Sequence, residues 1–207
     1  MKKFIFVFLM LCLSGCYSEQ NQFSNLPQSD DNLPPYVGIC IEYHENNLTY
    51  TDHGTGFFIE KGNKIYLMTA LHNLSNLKRG ILYVNKYHIK IADSNSKCYV
   101  INNAESDCAA ILMEGIKPQT LRIGTISPGD KIFVYGYPKN GDKLISNSGT
   151  VLDISIETNA AIERGHSGSP YINSNGEVVG IASHILLENE KVCSKGVLIN
   201  SLYDKLP

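Results

Sequence analysis

Gly165-His166-Ser167-Gly168-Ser169-Pro170 is the stretch on which the reading of the fold turns. It has the form G-x-S-G-x-P, a serine held out of a tight turn between glycines. Glycine lets the backbone bend sharply and come close to a bound molecule. The N–H groups of Gly165 and Ser167 can then be aimed at one point, which suits an oxyanion formed when Ser167 attacks a carbonyl. The same glycines would serve an ordinary loop. What decides between the two is whether the rest of the chain supplies a base and an acid.

Upstream, Ile65-Tyr66-Leu67-Met68-Thr69-Ala70-Leu71-His72 is a bulky apolar run that reads as a buried strand delivering His72 at its end. A second apolar run follows Glu105-Ser106-Asp107, so Asp107 stands at the mouth of another strand and can accept a hydrogen bond from the histidine. The order His72, Asp107, Ser167, with gaps of 35 and 60 residues, is one of the chain orders that serine triads adopt. The other histidines, His44, His53, His88, His166 and His184, lack the Thr-Ala-Leu-His context. Among rival acids, Asp130 and Asp142 sit in turns, Asp93 lies in a polar loop, and Asp153 comes late in the chain.

Together these segments resemble the trypsin-like (chymotrypsin-fold) serine proteases, in particular their short bacterial branch with the Deg-type proteases and the glutamyl endopeptidases. Gly54-Thr55-Gly56-Phe57-Phe58-Ile59 is similar to the first glycine-marked strand of that branch. Thr69-Ala70-Leu71-His72 is similar to its histidine motif, Ser106-Asp107-Cys108-Ala109 to its aspartate motif, and residues 160–170 with 175–181 to its serine region. The resemblance implies Ser167 as nucleophile, His72 as general base, Asp107 as the acid that orients it, and the N–H groups of Gly165 and Ser167 as oxyanion hole. It places Ser183 near the aspartate and Ala161, six residues before Ser167, at the base of the specificity pocket. His184 falls in the region where glutamyl endopeptidases use a histidine, two positions off the match. Ala161 supplies no acid for Lys or Arg, so a small or medium apolar residue is expected before the scissile bond. His166 replaces the acid that pairs with a new N-terminus in trypsins, so activation by N-terminal insertion is not expected.

Short apolar or β-prone runs at 37–43, 56–60, 64–69, 81–84, 88–91, 97–101 and 109–113 make a first series. A second occupies 131–135, 148–155, 170–173, 178–183 and 196–199, with a short helix at 201–206. Turn sequences such as Lys61-Gly62-Asn63, Ser127-Pro128-Gly129-Asp130 and Asn175-Gly176 separate them. Such spacing means a sandwich or a barrel. The resemblance then implies an all-β fold: two six-stranded antiparallel β-barrels over 36–117 and 118–207, with the active site in the cleft between them. No PDZ domain is expected.

Residues 1–15 read as a signal peptide: Lys2 and Lys3 precede ten apolar residues, 4–13. Ten residues span about 15 Å as a helix, half of a bilayer core. Leu13-Ser14-Gly15-Cys16 resembles a bacterial lipobox, which implies cleavage before Cys16, lipidation of its sulfur and firm anchoring. Tyr17, where inner-membrane retention favours Asp, implies the outer membrane facing the periplasm. Residues 16–35 are then the lipidated cysteine and a polar tether carrying Pro27, Pro34 and Pro35, whose last eighteen residues extend at most ~60 Å.

Loss of Lys2 and Lys3 with the signal leaves 16 basic against 20 acidic residues, a net charge of −4 with no basic stripe. That argues against nucleic acid as a partner. Of six cysteines, Cys40, Cys98, Cys108 and Cys193 would remain unmodified, with three possible complete pairings in an oxidising compartment. No C-x-x-C or H-E-x-x-H occurs, so no metal or other cofactor is expected. The function that emerges is a lipid-anchored serine endopeptidase of the bacterial cell envelope, acting on proteins or peptides. The competing reading is a catalytically silent trypsin-fold lipoprotein that binds a partner; presence of all three triad residue types counts against it.

Overall fold

Tyr66-Leu67-Met68 explains why the first half of the chain looks uniformly apolar. All three side chains are fully buried, yet they enter different cores. Leu67 joins Phe58, Ile39, Ile41, Leu82 and Ile111 inside the first sheet's curl. Tyr66 and Met68 face the other way, onto Phe57, Ile59, Ala110, Ile172, Val178 and Ile181. A strand covered on both faces loses the in–out alternation and reads as a continuous apolar run. Each such side chain contributes about 1.5–3 kcal/mol of burial.

A computed structural model describes residues 33–84, 89–100, 107–138, 143–153, 155–188 and 191–207, with backbone alone at 186–188 and 191–193. The signal segment, Cys16 and the first part of the expected tether lie outside the described residues. The first sheet is built from β1 (Tyr36–Glu45), β2 (Leu48–Lys61), β3 (Lys64–Thr69), β4 (Gly80–Val84), β5 (Ile89–Ala92), β6 (Cys98–Val100) and β7 (Ala109–Met113), in the order β5-β4-β1-β2-β3-β7-β6. The second holds β8 (Lys131–Gly136), β9 (Ile145–Thr150), β10 (Glu157–Thr158), β11 (Pro170–Asn173), β12 (Val178–Glu188) and β13 (Lys191–Leu198), in the order β10-β13-β12-β11-β8-β9. The named strands pair antiparallel throughout. These two curled sheets form the half-barrels of the expected two-barrel architecture. The first has seven strands against the six implied, because the three-residue β6 adds an edge beside β7.

Three cores result. One fills the first curl, one lies between the sheets, and a third fills the second curl around Ile132, Val134, Val151, Tyr171 and Val179. The chain re-enters the first sheet at its end. After α1 (Asn200–Tyr203), the Lys61 ammonium donates to the carbonyls of Tyr203 (2.7 Å) and Leu206 (2.6 Å). The Tyr66 hydroxyl reaches the Pro207 oxygen at 2.8 Å.

Several expectations shift in detail. β2 begins at Leu48, eight residues before the expected run, as one arm of a hairpin whose turn residues Asn46 and Asn47 have positive φ. β9 ends at Thr150; the stretch beyond it bends because the Asp153 carboxylate accepts from the Ser155 and Glu157 amides. Leu33 is buried in the first core, and its carbonyl accepts from the Gln119 amide. The last residues of the expected 16–35 tether are therefore bound to the first sheet rather than free. None of the complete cysteine pairings forms: Cys40, Cys98 and Cys108 carry free thiols, on β1, on β6 and just ahead of β7.

Candidate active site

β3 and β7 are paired neighbours with Thr69 opposite Ala109. His72 lies three residues past the end of β3 and Asp107 two residues before the start of β7, so both emerge from the same end of the pair. Antiparallel pairing thus closes a gap of 35 residues into a contact. His72 sits on a single 3₁₀ turn, Leu71–Leu74, entered through an extended Ala70. Its amide donates to Asp107 Oδ1 at 2.9 Å, and its ring Nδ1 meets Asp107 Oδ2 at 2.5 Å. The side chain of His72 is half exposed, whereas that of Asp107 is 19% exposed.

Burial alone would push the Asp107 carboxyl up. The hydrogen bonds from the His72 ring, the Ser183 hydroxyl and the His72 amide overcome that and hold it at about 2. Asp107 is therefore a carboxylate that only accepts, so His72 Nδ1 must carry a proton. In the neutral ring, Nε2 is then left as an acceptor.

Ser183 reaches Asp107 because β12 bulges. The register between β12 and β13 shifts between Ala182 and His184, leaving Ser183 as the extra residue. A bulge re-aims the side chain it carries, and Ser183 Oγ donates to Asp107 Oδ2 at 2.6 Å. His184, which is exposed, lies with ring Nδ1 2.7 Å from the same hydroxyl. The Ser183 proton is spent on Asp107, so His184 Nδ1 donates in that contact. Ser183 and His184 thus join the chain of hydrogen bonds behind the acid. Ala161 does not: it is exposed, and its carbonyl accepts from Asn147 Nδ2 at 2.8 Å.

The Ser167 loop is anchored on both sheets. The Gly168 amide donates to the Ala182 carbonyl, and the Ala182 amide to the Ser169 carbonyl, each at 2.8 Å, which ties the loop to β12 beside Ser183. Toward the first sheet, the Ser167 carbonyl accepts from the Thr55 amide at 2.9 Å and from Asn73 Nδ2 at 2.8 Å. Gly168 must be glycine here. Its φ is +87°, and a Cβ would stand 2.1 Å from the Thr55 oxygen and 2.3 Å from Thr69 Oγ1.

Ahead of Ser167, the His166 amide donates to the Glu163 carbonyl at 3.0 Å, closing a turn in which Gly165 has φ +97°. Positive φ at the third position marks a type II turn. The Gly165 carbonyl accepts from Thr55 Oγ1 at 2.8 Å. Among the described residues, the N–H groups of Gly165 and Ser167 have no protein partner, while those of His166, Gly168 and Ser169 do. His166 itself is buried. Burial pushes its imidazole below the ordinary histidine value, and its Nε2 has no partner. The loop is thus held by neutral hydrogen bonds and not by a charge at His166.

The structure therefore brings His72, Asp107 and Ser183 into direct contact. It links Ser167 to His72 through the chain itself, since Asn73, next to His72, grips the Ser167 carbonyl. The His72 ring and the Ser167 hydroxyl make no direct hydrogen bond. Thr55, Thr69 and Asn73 escaped the reading of the sequence. The signal was present in the first two, polar residues inside buried apolar strands, since a buried hydroxyl needs a partner. Among the described residues, no cluster of His, Cys, Asp and Glu has the form of a metal site.

Comparison with known proteins adds identity to this geometry. A family model described as a trypsin-like peptidase domain matches residues 54–181, from the strand that carries Thr55 into the strand that carries Ser183. A mitochondrial Arabidopsis thaliana protein named as a Do-like protease is 32% identical over 161 residues, covering 67% of this chain. The match spans only 27% of that relative's length. With two curled antiparallel sheets, and a family model that matches more than half of its length, the chain belongs to the trypsin-like peptidase family.

Proposed function

We propose that this peptidase is a serine endopeptidase that cleaves proteins through an acyl-enzyme on Ser167, with His72 as general base and Asp107 as its orienting partner. The observation that carries the reading is the Asp107 carboxylate. It takes bonds from the His72 amide, the His72 ring and the Ser183 hydroxyl. That arrangement fixes the His72 tautomer with its second nitrogen free to take a proton.

The chemistry follows from these roles. Ser167 Oγ attacks the scissile carbonyl carbon while its proton passes to His72 Nε2. The carbonyl π electrons move to oxygen, and the oxyanion is met by the N–H groups of Gly165 and Ser167. Collapse of the tetrahedral intermediate breaks the C–N bond, and the leaving amine takes the proton from His72. Water then attacks the ester, gives a proton to His72, and the carboxylic acid leaves as Ser167 regains its hydrogen. Past Ala182, whose amide and carbonyl are taken by the Ser167 loop, β12 pairs among the described residues with β13 alone, so its other edge has backbone groups with which an extended peptide can pair. A small or medium apolar residue before the scissile bond suits Ala161.

We further assign residues 1–15 to a signal peptide, Cys16 to lipidation and the residues from there up to the bound Leu33 to a tether, with the protease on the periplasmic face of the outer membrane of a bacterium. The deciding experiment is labelling of the full chain with a fluorophosphonate, read by intact mass. One adduct on the parent, absent from Ser167→Ala and His72→Ala, is the expected result. No adduct on a folded parent would leave the silent binding protein as the better reading. Incorporation of labelled palmitate, abolished in Cys16→Ser, tests the anchor separately.

A further inference from the structure

We propose that Thr55 is a positioning residue of the oxyanion site, acting by holding the carbonyls of both Gly165 and Ser167. The inference rests on the serine-protease reading above and extends it to a residue for which the sequence suggested only a place in a glycine-marked strand.

Thr55 lies on β2, fully buried. All of its polar groups are engaged. Its amide donates to the Ser167 carbonyl at 2.9 Å. Its hydroxyl accepts from the Tyr137 amide at 2.9 Å and donates to the Gly165 carbonyl at 2.8 Å. Its own carbonyl accepts from Thr69 Oγ1 at 2.7 Å. The hydroxyl has one hydrogen, so with Tyr137 supplying the incoming bond the outgoing one falls on Gly165.

What this does to the site follows from turn geometry. The two donors for an oxyanion are the N–H groups of Gly165 and Ser167, each one residue's backbone away from a carbonyl that Thr55 holds. Types I and II turns differ by a flip of the central peptide, here the one between Arg164 and Gly165. Glycine accepts either form, so no local steric barrier keeps the Gly165 N–H on the substrate side. A tertiary anchor on the Gly165 carbonyl selects the observed turn, with φ +97°. The side chain of the loop's own buried residue is unsuited to the task, since the His166 ring has, among the described residues, only contacts at 3.3 Å to the Glu163 backbone. Thr55 is thus the point at which the first sheet dictates the geometry of a loop grown from the second, across a sequence separation of 110 residues.

The test uses the full-length protein and a chromogenic peptide substrate, with Thr55→Val, Thr55→Ser and Thr55→Ala. Valine keeps the shape and the amide bond to Ser167 but loses the hydroxyl. Rates are expressed per active site by fluorophosphonate titration, which corrects for any misfolded fraction. The expected result is a fall of about 10²-fold in kcat for Thr55→Val with KM within about twofold, since the lost order affects the transition state and not substrate binding. Thr55→Ser restores kcat to within a few fold. A Thr55→Val enzyme with unchanged kcat overturns the proposal, as does a fall confined to KM. Failure of both Thr55→Val and Thr55→Ala to fold also overturns it, because Thr55 would then be structural. A parent enzyme that does not react with the fluorophosphonate at all would sink the serine-protease reading instead, so the two failures are told apart.

Discussion

Asn73 Nδ2 donates to the Ser167 carbonyl at 2.8 Å, so the residue that follows the candidate base grips the backbone of the candidate nucleophile. The same amide group donates to Thr69 Oγ1 at 3.0 Å, and Thr69 in turn donates to the Thr55 carbonyl. One buried amide wedged between the sheets therefore ties the segment of the candidate base to that of the candidate nucleophile.

That wedge is sensitive to its neighbour. A Cβ at Gly54 would stand 2.4 Å from Asn73 Nδ2. Gly54→Ala is expected to displace Asn73 and to lower kcat by about 10- to 100-fold. In an Asn73→Ala background the same change has nothing left to displace. A double-mutant cycle should therefore give a coupling of about 1 kcal/mol or more in transition-state free energy, and additive effects would refute the wedge.

Two glycines with similar backbone angles should behave very differently. Gly168 (φ +87°) has Thr55 and Thr69 oxygens where a Cβ would go, whereas Gly176 (φ +77°) has open space around it. Gly176→Ala meets only backbone strain, about 1–3 kcal/mol. Gly168→Ala adds a backbone clash and should lose more than about 3 kcal/mol or fail to fold. Urea unfolding of the two variants side by side makes the comparison.

Replacing Asp107 by Asn should leave the fold intact and cut kcat by about 10⁴-fold. An amide at that position donates toward the imidazole, which moves the ring proton to Nε2 and blocks it from accepting from Ser167. Steady-state kinetics with a circular-dichroism control reads the outcome; a loss below about tenfold would mean that Asp107 does not set the tautomer.

Asp107 also makes stability depend on acid. Its folded value of about 2 lies below the ordinary carboxylate value of 3.8. A carboxyl lowered by folding stabilises the native state fully above the unfolded value, and that contribution is lost as pH falls from about 3.8 through about 2. The size is about 2 kcal/mol. Stability curves of the parent and Asp107→Asn should therefore converge in slope above pH 5 and separate in slope only below pH 4.

His166 works at higher pH with the same sign. Burial lowers its imidazole below the ordinary 6.5, so the unfolded chain takes up a proton that the folded chain resists. Stability contributed by neutral His166 is thus present above about pH 6.5 and declines as pH falls below it. The parent should lose stability between pH 7 and pH 5 faster than His166→Asn, measured by thermal unfolding in a pH series.

How much of this was legible in the chain depended on whether a signal was local. β3 was expected at 64–69 and occupies those residues, because two cores bury its opposite faces and leave a continuous apolar run. The motifs singled out His72 and Asp107, which the β3–β7 register then puts in contact. The outer arm of β2, from Leu48 to His53, was invisible. Its side chains are mostly exposed and polar, and only its pairing with β1 makes it a strand. The clamp of Thr55 on the Ser167 loop was legible only as a buried hydroxyl in need of a partner. Its meaning lies in a partner 110 residues away, and one threonine in a strand carries no record of that partner. The Ser183 bulge was equally silent, since a register shift depends on two strands at once.

Lys61 and Tyr66 hold the end of the chain against the first sheet, and ahead of the second sheet the Leu121 amide donates to the Phe58 carbonyl of β2 at 2.8 Å. The second sheet is accordingly clasped on both sides of its span, like a bracelet closed on the first. Separation of the two halves would have to tear the ammonium of Lys61 from two carbonyls before any shear could begin. On the proposed function, a substrate segment would meet two halves already tied together by the chain's own end, and would have to arrive unravelled enough to lie flat between them.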